Sequence, residues 1–320
     1  MLKVIAAALG AALLVSSVEA QAQSYPSRPI KFVVPFGPGS ATDVLGRIAA
    51  HELTLALGQP IVIVNRAGSD GSIGATEVQR SAPDGYTFLF GSNSPLVVVP
   101  HLRKQPPYDT LTDFTPVTFV GHNTFFIVVH PTVPAKSLAE FIAYAKANPK
   151  KLNYASGNTF SIVGTALFAA NNGLDMVHIP YKSEPDAIID LLAGTAQVMN
   201  ASVTTVLPHV KDGKLRALVT NLNERSPLLP DVPSIVEAGQ PKFPIGPWGA
   251  MVGPAGLPAE VVARMNKEMV AVLAKSEVKE GMLKHGFVAK SSTPGELATY
   301  LKDQLGVWKT ALKDAGIEPQ

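Results

Sequence analysis

The chain contains no cysteine. A disulfide framework, a lipid-modified N-terminal cysteine and every thiolate-based metal or nucleophile site are therefore excluded. Runs of lysine or arginine are also missing, and the formal net charge over 320 residues is only +2. A basic stripe of the kind that binds phosphate backbones is absent, so nucleic acid is not an expected partner. No Gly-x-Ser-x-Gly turn presents a serine nucleophile, no Gly-Lys-Ser/Thr closes a phosphate loop, and no Gly-x-Gly-x-x-Gly spacing occurs. The 7 histidines are scattered, and none stands four residues from another as a helical metal pair would. No catalytic residue, metal site or cofactor is expected. The longest apolar run, Val4 to Val15, is shorter than the roughly 20 residues that cross a bilayer.

What is present begins with that short apolar run. It follows Met1-Leu2-Lys3 and precedes small residues at Val18-Glu19-Ala20 and Ala20-Gln21-Ala22, the layout of a secretory signal peptide over residues 1–22. Export without disulfides points to a large periplasmic protein, and the remainder is long enough for two domains with separate cores.

Beyond the signal, strand-like and helical patterns alternate. Ile30–Val34, Ile61–Val64, Thr87–Phe90, Phe114–Val120 and Phe125–Val129 are rich in Val, Ile, Phe and Thr and read as strands. Asp43–Leu57 and Gly74–Ser81 read as helices between them. A second such set starts near Gly121, with a helix over Leu138–Asn148, a strand over Leu152–Ala155 and a helix resuming at about Ile162. Alternation of this kind predicts α/β layers, each built on a mostly parallel sheet flanked by helices. The C-terminus is helical: Val261, Val262, Met265, Met269, Val272 and Leu273 form one stripe. Leu297, Tyr300, Leu301, Leu305, Trp308 and Leu312 form another, started by Thr293, Pro294 and Glu296 as cap, first residue and capping-box acid. At helical spacing these Met and aromatic residues are core.

Two loops carry the chemistry. Phe36-Gly37-Pro38-Gly39-Ser40-Ala41-Thr42-Asp43 joins a strand to a helix, and Ser156-Gly157-Asn158-Thr159-Phe160-Ser161 does the same in the second set. The first turn of a helix has N–H groups without partners, and the peptide dipoles favour negative charge there. In α/β folds ligands sit outside the carboxyl ends of strands, in such loops. One on each domain implies a cleft gripped from both sides around a carboxylate-like molecule. Asp43 has two readings, as a cap for its own helix or as a ligand contact. Phe160 also has two, packing into its domain or stacking on an aromatic acid. Gly68-Ser69-Asp70-Gly71-Ser72-Ile73-Gly74 is glycine-rich too, but its spacing is wrong for a dinucleotide fingerprint, and its plainer reading is a tight loop into a helix.

Several separated segments resemble one family. They are Tyr25-Pro26-Ser27-Arg28-Pro29-Ile30, Val33 to Asp43, Leu57-Gly58-Gln59-Pro60, Val64-Asn65-Arg66-Ala67-Gly68, Ala82-Pro83-Asp84-Gly85-Tyr86-Thr87, Pro180-Tyr181-Lys182, Trp248-Gly249 and Pro254-Ala255-Gly256-Leu257-Pro258. Their order matches the substrate-binding receptors of tripartite tricarboxylate transporters, the Bug receptors. The resemblance implies a two-domain Venus-flytrap periplasmic binding protein, type II-like. The first domain would span residues 23–120 and 247–320, the C-terminal helices returning to it, and the second 121–246. It implies a di- or tricarboxylate or aromatic acid as ligand, transporter membrane subunits as partners, and a monomeric receptor. Alternatives are a receptor that presents its bound form to a membrane sensor kinase and, more distantly, a periplasmic ester hydrolase.

The expected ligand-binding residues are Phe36, Gly37, Pro38, Gly39, Ser40, Ala41, Thr42 and Asp43 in the first loop, Ser92 and Asn93 after the third strand, and Ser156, Asn158, Thr159, Phe160 and Ser161 in the second loop. Tyr181 would be a cleft wall and Asn200 a further polar contact. Gly37 and Ser40 stand where many members carry Pro and Gly, the second loop has fewer glycines than usual, and Ser183 replaces a common Gly.

Overall fold

The computed structural model describes residues 25–181 and 183–319. The expected signal peptide at 1–22 and Lys182 lie outside the described residues.

The chain alternates as expected. The first part runs β1 (Ile30–Val34), α1 (Ala41–Leu57), β2 (Ile61–Asn65), α2 (Ser72–Gln79) and β3 (Thr87–Ser92). One π-helical turn at Ser94–Val98 then leads into α3 (Val99–Leu102) and β4 (Phe114–Asn123). The second part holds β5 (Phe125–Val129), α4 (Leu138–Ala147), β6 (Asn153–Ser156), α5 (Thr159–Asn172), β7 (Val177–Pro180), α6 (Glu184–Leu192), β8 (Val198–Ser202), α7 (Val203–Lys211) and β9 (Arg216–Thr220). The chain then returns as β10 (Trp248–Pro254), α8 (Ala259–Ala274), α9 (Ser276–Lys284), β11 (Phe287–Ala289) and α10 (Pro294–Asp314).

Two sheets result, ordered β11-β4-β10-β3-β1-β2 and β7-β6-β8-β5-β9. Helices flank both, so the protein is a two-domain α/β molecule. The sheets are mixed rather than mostly parallel. β1 pairs in parallel with β2 and β3, whereas β10 runs antiparallel between β3 and β4. The chain leaves the first sheet along β4 and re-enters along β10, so those neighbours must point in opposite directions. In the second sheet β6 pairs in parallel with β7 and β8, and the entering strand β5 runs antiparallel to β8 and β9. Period and composition identify the strands, but they do not reveal which neighbour a returning strand will choose.

Cores form on both faces of each sheet. The stripe of α8 (Val261, Met265, Met269, Val272 and Leu273) packs with α1 and β1 beneath it. The α10 stripe buries Leu297, Leu301, Trp308 and Leu312. That cluster continues across the domain junction to Phe125, Phe160, Val163 and Leu167 of the second domain. The two crossing segments are joined by Asn123 N–H donating to the Pro247 carbonyl at 2.9 Å, and Thr124 N–H donates to Gly286 O at 2.8 Å. Among the described residues, no helix is long and apolar enough to cross a membrane.

Candidate functional site

Both expected loops are capped helix starts. Ser40 is the N-cap of α1 in extended backbone, and its hydroxyl accepts from Asp43 N–H at 3.3 Å. Ser40 N–H donates to Gly37 O. Cap and third-position amides are thus engaged, and helix geometry leaves the N–H groups of Ala41 and Thr42 for something else. The second loop repeats this with different side chains. Asn158 and Ser161 form a reciprocal capping box: Asn158 Oδ1 accepts from Ser161 N–H at 2.8 Å, and Ser161 Oγ accepts from Asn158 N–H at 3.2 Å. The first-turn amides left over are those of Thr159 and Phe160. Helix α5 starts three residues earlier than the sequence pattern suggested because this box converts part of the polar loop into its first turn.

Asp43 is committed to its own loop. Its oxygens accept from Gly39 N–H at 2.9 Å, from Arg47 Nε and Nη2 at 3.0 Å each, and from Asn65 Nδ2 at 2.9 Å. Burial alone would raise its carboxyl; the hydrogen bonds from Arg47, Gly39 and Asn65, with the Arg47 charge, overcome that and hold it below the usual carboxylate range. Asn65 also donates to Phe36 O at 2.9 Å. Phe36, Gly37, Pro38 and Gly39 therefore form a lip whose shape is set by Asp43 and Asn65 rather than by a ligand.

Phe160 is buried. Its ring meets Phe125 edge-on at 4.9 Å and Phe243 at 6.3 Å. Ser156 is fully buried, and its Oγ shares a 2.6 Å hydrogen bond with His178 Nε2. His178 in turn stacks on Tyr154 at 4.6 Å, and burial lowers its pKa. A serine beside an imidazole is the start of a nucleophile–base pair, but a serine with no exposed surface cannot present its hydroxyl to an acyl group. Tyr181 is half-buried and donates to Asp190; burial, then that bond and the Asp190 charge, push it up to about 12. Its N–H donates to Ser156 O, which ties it to the foot of the second lip. Ser92 accepts from Ser94 N–H, and Asn93 is buried beside it at the end of β3. Asn200 lies one helical turn behind the lip, next to Gly164, and accepts from Asn221 Nδ2 at 2.8 Å.

Two residues that bond to the second loop were missed in the sequence. Asp70 has left-handed backbone (φ 57°) and sits on the loop read as a tight turn. Its Oδ1 accepts from Thr159 Oγ1 at 3.5 Å, across the two domains, and Arg103 lies 3.7 Å from its other oxygen. A Cβ on Gly71 would stand 3.1 Å from Pro35 and 3.3 Å from Pro95, so this loop presses against the roots of the other two first-domain loops. Thr159 therefore reaches the first lip's immediate neighbour. Non-glycine residues in left-handed backbone are a recognisable structural feature, but the sequence shows only a polar residue between glycines.

Glu184 supports the second lip from behind. Its carboxylate accepts from Asn158 Nδ2 at 2.8 Å, and from Ser202 N–H and Thr205 Oγ1 at 2.6 Å each. One acid thus braces the start of α5 against the start of α7. Burial pushes its carboxyl up, while those three bonds oppose the shift. Ser183, the departure from the family pattern, is the N-cap of α6.

Two capped helix N-termini, one per domain, and a side-chain bond between the domains make up the candidate site of a two-domain α/β protein. A family description, "Tripartite tricarboxylate transporter family receptor", matches residues 45–317. Protein BugT of Bordetella pertussis is 36% identical over 299 residues, covering 92% of this chain and 91% of BugT. Among solved structures, R. palustris Rpa4515 with adipate has a TM-score of 0.83 at 30% identity, covering 92% of this chain and 100% of that one. MatC (Rpa3494) from Rhodopseudomonas palustris with bound malate has a TM-score of 0.77 at 29% identity, covering 90% and 100%. The chain belongs to the tripartite tricarboxylate transporter receptor family, whose members are periplasmic solute-binding proteins.

Proposed function

We propose that this protein captures a small organic carboxylate between its two lips in the periplasm and delivers it to the membrane subunits of a tripartite transporter. The observation that carries this is the pair of capped helix starts. Each cap uses the first and last of four amide donors and leaves the middle two: Ala41 and Thr42 on one lip, Thr159 and Phe160 on the other. A site built this way holds an anion with neutral donors and needs no arginine clamp. Structural relatives with adipate and malate support a carboxylate ligand, and our reading keeps di- and tricarboxylates and aromatic acids as candidates.

The expected division after residue 120 would cut β4, which runs to Asn123, so we place the first crossing at Asn123–Thr124 and keep the second before β10, at Pro244–Pro247. A ligand that touches both lips stabilises only the arrangement in which they approach, and this biases closure. The signal peptide reading supplies the route to the periplasm.

The decisive test removes one amide without unmaking its helix. Proline is tolerated at the first helical position because its missing N–H is one of the unpaired group. Ser40 already has the extended backbone (ψ 157°) that a residue before proline requires. Adipate and malate are titrated calorimetrically into the wild type, Ala41→Pro and Ala41→Gly. Loss of one charge-assisted hydrogen bond, about 1.5 kcal/mol, corresponds to roughly tenfold weaker binding in the proline variant alone. Equal affinity in all three proteins would remove the first lip from the site.

A further inference from the structure

A cavity of about 700 Å³ opens where the domains join, beside both crossing segments, and none of the lip residues 36–43 or 156–161 is among those lining it. Its walls come from both domains and from the return segment: Asn221 to Arg225 after β9, Phe243 to Gly246 in the second crossing, and α9, β11 and α10 of the first domain. Its volume is that of a site for a drug-sized molecule.

The chemistry of the walls is specific. Phe243, Phe287 and Tyr300 give an aromatic floor, and Arg225, Lys279 and Lys290 bring positive charge to the rim. Glu224 is the acid among the lining residues. Arg225 is engaged by Glu237 at 3.0 Å, and Lys290 is near enough to lower the Glu296 carboxyl. His122, at the end of β4, is held down to about 4 by burial and by Lys290, and is neutral at pH 7. Asn221 also lines the cavity, and its Nδ2 donates to Asn200 Oδ1 at 2.8 Å.

We propose that this cavity is a second binding site, for an aromatic monocarboxylate whose ring lies on Phe243 and Tyr300 and whose carboxylate faces Lys279 and Lys290. It goes beyond carboxylate capture at the lips and does not depend on it.

The test uses 4-phenylbutyrate and its uncharged amide as probes, titrated into the full mature protein by calorimetry. The Ala41→Pro variant, disabled at the lip, should still bind 4-phenylbutyrate, and the amide should bind at least tenfold more weakly. Lys279→Glu combined with Lys290→Glu should weaken 4-phenylbutyrate at least tenfold while leaving the melting temperature and malate affinity unchanged, because both lysines are exposed. Retained affinity in the double variant, loss of the probe in Ala41→Pro, or no saturable binding to either protein would each overturn the proposal. A failure of malate alone to bind would count against the lip reading and not against this cavity.

Discussion

Asp43 shows how a single side chain can set the shape of a whole loop. Its carboxylate collects an amide, a guanidinium and a carboxamide and fixes the course of Phe36 to Gly39. Asp43→Asn keeps the size but removes the charge and offers a donor where only donors approach. The folded state should lose about 1–3 kcal/mol at pH 7. The pH dependence follows from the depressed pKa: the carboxylate stabilises the fold above its unfolded pKa, and that contribution disappears as pH falls through the folded value. Urea midpoints of wild type and Asp43→Asn should therefore differ at pH 7, and the gap should shrink as pH falls below the unfolded aspartate value near 3.9 and through the lower folded one. A constant gap across that range would show that the charge is irrelevant. The sequence left Asp43 with two readings because the i, i+3 relation to Ser40 is visible in a linear chain and the approach of Asn65 is not.

The second lip is an assembly of element ends. Helices α5, α6 and α7 begin within reach of one carboxylate, Glu184, and Gly157 makes the convergence possible. A Cβ at residue 157 would lie 2.3 Å from Glu184 N and 2.4 Å from its Cα, so loop and helix backbones are in contact there. Gly157→Ala must push the lip away from α6. The expected result is a stability loss of about 1–3 kcal/mol by denaturant melting, together with weaker malate binding. The control for stability is Gly37→Ala, where nothing stands within 4 Å of the added carbon. Helix α7 could not be anticipated from its sequence. Val203-Thr204-Thr205-Val206 is β-branched and Pro208 interrupts it, both unfavourable for a helix. Its Ser202 cap and the Glu184 bonds override those preferences, and that override is tertiary.

At the scale of the whole molecule, the junction decides how the lips meet. The turn at Gly286 (φ 72°) fits against Val203, the first residue of α7: a Cβ there would fall 1.9 Å from Val203 Cγ1. Thr204 Oγ1 donates to His285 O at 2.7 Å beside it. Gly286→Ala therefore strains the backbone and separates the two domains at once. Small-angle scattering should show a larger radius of gyration than the wild type in saturating malate, and malate affinity should fall several-fold. An unchanged radius and affinity would show that this contact does not govern the domain arrangement. The same junction explains the mixed sheets, since a chain that crosses between domains and back has to lay its return strand antiparallel to the one it left on.

Within the sequence alone, periodicity fixed the strands, the helical stripes and the two-domain α/β class, because burial of one face is a local pattern of period 2 or 3.6. The two strand-to-helix loops were legible for the same reason, and of their caps the Ser40–Asp43 relation was visible while the Asn158–Ser161 box was not. Tertiary structure alone decided that Asp43 and Phe160 are bound to their own domains, that Asp70 faces Thr159, that Glu184 joins three helix starts, and that a charged aromatic cavity lies at the crossings. Each of those depends on atoms tens of residues apart meeting at hydrogen-bond or van der Waals distance. Only the folded chain sets those separations.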